Sequence, residues 1–94
     1  MAHELTHEPD VRRYTLRVDD ELACFVDYVV NGDAIVLTST YTEPTHRGHG
    51  YAAEIVEFAV NDIETTTDYR IASTCSYVTY WFDLHPERAA LLTR

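Results

Sequence analysis

Between residues 34 and 64 the apolar period changes, and a loop with two glycines bridges the change. Ala34–Thr42 reads as a strand, whereas Ala52, Ile55, Val56, Ala59 and Ile63 recur at helical spacing over 51–64. The bridge is Glu43-Pro44-Thr45-His46-Arg47-Gly48-His49-Gly50-Tyr51-Ala52. A strand that passes through such a loop into a helix leaves the first helical N–H groups unpaired, at the positive end of the helix dipole. Glycines there let a phosphate approach the backbone closely. His46, Arg47 and His49 gather potential positive charge at the same place. Arg47-x-x-Gly50-x-Ala52 therefore reads as a pyrophosphate cradle, made by Arg47, Gly48, His49, Gly50, Tyr51 and Ala52.

The flanking sequence gives this loop a setting. Tyr14, Leu16 and Val18 alternate with Thr15 and Arg17 as a short strand, and Asp19-Asp20-Glu21 makes a turn. A second strand covers 22–30. Asn31-Gly32 predicts a tight type I′ hairpin turn, which needs positive φ at both central residues. The helix ends at Thr65-Thr66-Thr67, since β-branched residues lower helix propensity. A fourth strand follows over 69–74. A strand–helix–strand unit makes a right-handed parallel crossover, so this strand lies parallel to Ala34–Thr42. Ser76–Leu84 is a second helix, and Pro86 suits the first turn of a last short helix that reaches Leu92, with His85 as its cap. Residues 1–11 are polar and expected to be loose. The predicted fold is α/β: a three-strand antiparallel meander, a helix, a parallel fourth strand and C-terminal helices.

The chain has 94 residues, enough for a single domain over 1–94 with one core. Its formal charge is −9, with seven arginines and no lysine. General nucleic-acid binding is disfavoured, because it needs a basic surface. The acidity has two readings, a solubilising surface from a GC-rich genome or adaptation to high salt. It also favours a cationic partner. No apolar run is long enough to span a membrane and no signal peptide precedes residue 20, so a cytoplasmic protein is expected, as monomer or homodimer.

Other motifs weigh less. His3-Glu4-Leu5-Thr6-His7 matches the zinc-binding His-Glu-x-x-His pattern, but that pattern needs an anchored helix and a third ligand. Here Pro9 follows closely, and no metal is expected. Gly-x-x-x-x-Gly-Lys-Ser/Thr and Gly-x-Gly-x-x-Gly are both absent. Cys24 sits in an apolar strand and reads as a core thiol. Cys75 lies between the fourth strand and the second helix, where a helix N-terminus favours the thiolate. Tyr80 stands one helical turn beyond Tyr77.

Arg47-x-x-Gly50-x-Ala52 resembles the Arg/Gln-x-x-Gly-x-Gly/Ala motif of the GNAT superfamily of N-acetyltransferases. Thr42-Glu43, Cys75, Tyr80 and His85-Pro86-Glu87 follow in the order of a small, single-domain branch of that superfamily. The resemblance covers residues 14–92. It implies a minimal GNAT fold whose third and fourth strands part to admit the pantetheine arm of coenzyme A, with the pyrophosphate on the Arg47 loop. It implies acetyl-CoA as cofactor and a small-molecule or peptide amine as acceptor. It implies Glu43 as the base, with Tyr80 or Cys75 near the thioester. Tyr41 and Arg88 stand where the branch commonly has a histidine and an aromatic residue, and the extra helices and strands that build an acceptor pocket are missing. A non-catalytic acyl-CoA-binding or sensing module, and a subunit whose site a partner chain completes, remain open at this point.

Overall fold

The computed structural model describes residues 2–94. Five strands form one sheet in sequence order: β1 (His3–Glu8), β2 (Arg13–Val18), β3 (Glu21–Asn31), β4 (Ala34–Thr42) and β5 (Arg70–Ser73). Pairing is antiparallel up to β4, and β4 and β5 are parallel. Helix α1 (Tyr51–Thr66) makes the crossover, and α2 (Ser76–Leu84) follows β5. The family-like meander, the parallel fourth partner and both helices are thus as the sequence implies.

One face of the sheet carries the core. Leu16, Cys24, Val26 and Leu37 are 0 % exposed and pack with Ile55, Val56, Ala59, Val60 and Ile63 of α1 and Val78 of α2. Burying side chains of this size contributes about 1.5–3 kcal/mol each. On the other face the Arg13 guanidinium lies 3.8 Å above the Phe25 ring, whose centroid is 5.4 Å from that of Tyr41.

Two local expectations need correction. Residues 3–8 are not loose: they form an edge strand in register with β2 from His3↔Val18 to Glu8↔Arg13. Its inward side chains are held by polar contacts. The His7 ring stacks on Tyr14 at 4.2 Å, and its Nε2 is 2.7 Å from the Tyr28 hydroxyl. The hairpin after β3 is closed by the pair Asn31↔Ala34, so its loop is Gly32-Asp33 and only Gly32, at φ +59°, is left-handed. That is the type II′ signature, with glycine first. Positive φ at two successive turn residues occurs instead at Asp19 and Asp20, +51° and +70°, between the paired Val18 and Glu21. The C-terminal segment Pro86–Leu92 is the expected short helix, of 3-10 type, and His85 stands at both its N-cap and the C-cap of α2: its carbonyl accepts the Arg88 N–H at 2.9 Å, and its Nδ1–H donates to the Trp81 carbonyl at 2.7 Å.

Candidate functional site

The site starts from an irregularity in β4. Tyr28 pairs with Leu37 while Asp27 pairs with Ser39, so Thr38 is an extra residue, a bulge. A bulge reverses which backbone groups face which neighbour. Beyond it, the Glu43 N–H donates to the Ala23 carbonyl of β3 at 2.8 Å, which puts Ser39 and Tyr41 on the β3 side as well. The N–H and C=O groups of Thr38, Thr40 and Thr42 point the other way, toward β5. They find no strand there. The parallel pairing stops at Leu37↔Ser73, and a last bond runs from Thr74 N–H to the Leu37 carbonyl. The two strands part, leaving a wedge lined by backbone that has no strand partner.

The Arg47 loop sits at the mouth of this wedge. Its guanidinium Nε donates to the Thr42 carbonyl at 3.2 Å, so Arg47 lies across the end of β4. Loop hydrogen bonding stops with Arg47 N–H to Pro44 O at 3.4 Å and resumes with Glu54 N–H to Gly50 O at 3.2 Å. No backbone acceptor among the described residues meets the amides of Gly48 to Ala53 between them, and those of Gly50 to Ala53 are the four that a helix start leaves unpaired. Gly50 caps α1 with φ +77°, a left-handed conformation that glycine adopts without strain, and no side chain caps the helix. Tyr51 is only 5 % exposed, so of the predicted cradle residues it can offer its amide but not its ring. His49 stacks on Tyr51 at 5.2 Å. These unpaired amides, two left-handed glycines and an arginine fit a phosphate group.

Cys75 stands on the far wall, at the N-terminal cap of α2. Its sulfur is 3.6 Å from the Thr40 hydroxyl. Burial pushes the thiol pKa up. Hydrogen bonds from the Val78 amide, the Thr40 hydroxyl and the Tyr77 and Thr40 amides outweigh burial, and the net shift is downward. Cys24 lies on the same sheet face, 3.2 Å from the Thr42 hydroxyl, and burial raises its pKa. Both thiols are free. Tyr77 is half-buried, with its hydroxyl pKa raised by burial and then by Cys24 and Tyr80. Tyr80 is 55 % exposed, with its ring 6.3 Å from that of Tyr77. Glu43 is half-buried at the end of β4. Its backbone is bonded on both sides, to Ala23 O and from His46 N–H at 2.8 Å, and its carboxylate has no partner among the described residues.

Thr40 and the bulge at Thr38 were not among the predicted site residues. The run Thr38-Ser39-Thr40-Tyr41-Thr42 was the available signal, since a strand wall this polar suits something other than core. The His3-Glu4-Leu5-Thr6-His7 motif lies on β1, where a helical metal face cannot form, and no cluster of three or more metal-ligating residues occurs among the described residues. No helix among them is long and apolar enough to cross a membrane.

A family model described as GCN5-related N-acetyl-transferase matches residues 13–91. Two solved structures share the fold. A ribosomal-protein-alanine N-acetyltransferase from Brucella melitensis biovar Abortus 2308 superposes with a TM-score of 0.60 at 20% identity, over 80% of this chain and 60% of that one. A predicted acetyltransferase with acetyl-CoA from Clostridium acetobutylicum gives a TM-score of 0.56 at 15% identity, over 78% of this chain and 55% of that one. The chain therefore spans little more than half the length of these neighbours. No curated protein matches it.

Proposed function

Since the chain belongs to the GCN5-related N-acetyltransferase family, we propose that it transfers an acetyl group from acetyl-CoA to a primary amine. The observation that carries this reading is the wedge between β4 and β5, with an Arg47 loop of unpaired amides at its mouth. The amides of Gly48 to Ala52 and the Arg47 guanidinium would hold the pyrophosphate. The gap-facing N–H and C=O groups of Thr38, the Thr40 carbonyl and the Thr42 N–H would hold the amides of the pantetheine arm. Acetyl-CoA would supply an acetyl group already activated as a thioester.

The chain's own groups divide the remaining work. Glu43, with an unpartnered carboxylate at the end of β4, would take the proton from the acceptor ammonium, directly or through water. Cys75, at the helix cap on the opposite wall, would lie beside the thioester sulfur. Tyr80 would bring a hydroxyl proton to the departing thiolate, which requires its exposed ring to turn in from the α2 surface. The formal charge of −9 favours a cationic acceptor, such as a polyamine or a lysine-containing peptide, in the cytoplasm.

The test is turnover. The chain is incubated with acetyl-CoA and a panel of cationic and neutral amines, and products are detected by mass spectrometry. Acetylated product from a cationic amine is expected, with kcat reduced about a hundredfold in Glu43→Gln, the usual worth of a general base. Saturable coenzyme A binding without product from any amine would instead make the chain an acyl-CoA-binding module.

A further inference from the structure

Tyr51 opens α1, and three imidazoles from three separate segments surround its ring. His3 of β1 meets it edge-on at 5.2 Å between centroids, His46 of the Pro44–His46 turn lies at 6.1 Å, and His49 of the loop stacks on it at 5.2 Å. The sequence holds five histidines, so three of them gather at one helix terminus in a chain without lysine. Only Arg47 supplies a permanent positive charge within the loop itself. Two of the imidazoles also face carboxylates. His3 Nδ1 is 2.9 and 3.1 Å from the carboxylate oxygens of Glu54, in the first turn of α1. His46 Nε2 is 3.9 Å from Glu21 at the start of β3. Beyond these, the charged groups nearby are Asp19, whose carboxylate accepts the Ala2 N–H beside His3, Glu43, whose carbonyl accepts the His46 N–H, and Arg47 itself.

We propose that His3, His46 and His49 form a proton-linked collar, so that the phosphates of a coenzyme A-type ligand bind the Arg47 loop with uptake of protons. The inference rests on the cradle reading and adds its regulation. A neutral imidazole does little for an anion, whereas an imidazolium adds a full positive charge at the edge of the site. His3 acts twice. Protonated, it attracts phosphate and also cancels Glu54, the one acidic residue in the first turn of α1. Deprotonated, it leaves that carboxylate to repel phosphate. Both effects have the same sign. The bound state holds more protons than the free state, so affinity rises as pH falls through the range where histidines change charge, about pH 8 to 5. The lower part of that range is blunted by the ligand, because a phosphate monoester loses charge below its second pKa of about 6.

The experiment is calorimetric titration of the full chain with coenzyme A at pH 8.5, 7.5 and 6.5, each in two buffers of different ionisation enthalpy to count protons. The dissociation constant is expected to fall about tenfold from pH 8.5 to 6.5, the equivalent of one pKa unit gained on binding, with net proton uptake. In His3→Gln/His46→Gln/His49→Gln the affinity is expected to change by less than about twofold over the same range. His49→Asn, at an exposed position, keeps the test available if the triple variant does not fold, and it should lose part of the proton uptake. Binding with a flat pH profile, or an unchanged profile in the variants, overturns the collar and leaves the cradle standing. Absence of binding at every pH overturns both.

Discussion

The Thr40 hydroxyl lies 3.6 Å from the Cys75 sulfur, across the point where β4 and β5 part. One residue belongs to the strand that leaves the sheet pairing and the other to the helix that follows its neighbour. Together with the amides at the start of α2, this contact holds the thiol pKa below the ordinary value despite burial. At a given pH Cys75 therefore carries more thiolate than a free cysteine. Alkylation followed against pH should reach half its maximal rate below about 8.5. Thr40→Val should move that midpoint upward, and bound coenzyme A should protect the thiol. Labelling that begins only when the protein unfolds would show Cys75 to be an inert core residue.

Gly50 separates backbone strain from crowding. A Cβ built there meets nothing within 4 Å, but the φ of +77° disfavours any branched side chain. Gly50→Val should cost about 1–2 kcal/mol of stability from the left-handed conformation, and it should weaken coenzyme A binding by forcing the loop to rearrange. Gly50→Asn, which tolerates this region, should melt close to the wild type. Normal coenzyme A affinity in Gly50→Val would sink the cradle assignment.

Tyr14 is 1 % exposed, and its hydroxyl donates to Asp62 of α1 at 2.7 Å. Asp62→Ala leaves this hydroxyl buried without its acceptor, which should cost about 1–3 kcal/mol. Tyr14→Phe combined with Asp62→Ala should recover part of the loss, because neither partner then remains unsatisfied. Chemical denaturation of the two single variants and the double variant measures the coupling. Strictly additive losses would mean that the bond contributes nothing beyond its parts.

Sixteen acidic residues against seven arginines crowd negative charge onto a small surface. Salt screens that repulsion, with a Debye length of about 10 Å at 0.1 M and about 3 Å at 1 M. The melting temperature should rise with potassium chloride and level off near 1 M. A gain that continues into molar salt points to salt adaptation. Coenzyme A affinity should move the opposite way, because salt weakens attraction to Arg47 and the helix terminus. A melting temperature that is flat or falling throughout would refute the repulsion argument.

The parts of the fold that could be read from sequence were those with a local signature. Ala34–Thr42 and Ser76–Leu84 have the bounds that periodicity predicts, and the Arg47 loop is a continuous segment whose glycines and arginine are visible together. The edge strand β1 was missed because Leu5 is its only apolar residue. It is held by backbone pairing and by His3 and His7, whose partners Glu54 and Tyr28 are 51 and 21 positions away. Asn31-Gly32 carried the strongest turn signal, yet register placed Asn31 in the strand and moved the loop by one residue. The wedge was implied only through family resemblance. Its walls depend on a bulge and on the Thr40–Cys75 contact, 35 positions apart, and neither leaves a pattern in a short window.

Thr38 makes the length of β4 matter as much as its composition. With that one position deleted, Leu37 and Ser39 would follow each other in regular alternation opposite Tyr28 and Asp27, and the bend and extra twist that a bulge gives its strand would be lost. Thr40 and Thr42 would still turn their amides and carbonyls away from β3, but on a strand without the bend. All side chains but one could survive such a change while the course of the strand was lost. Insertions and deletions are therefore expected to be tolerated at the Gly32-Asp33 tip, where they lengthen a solvent-facing turn, and rejected between Leu37 and Glu43.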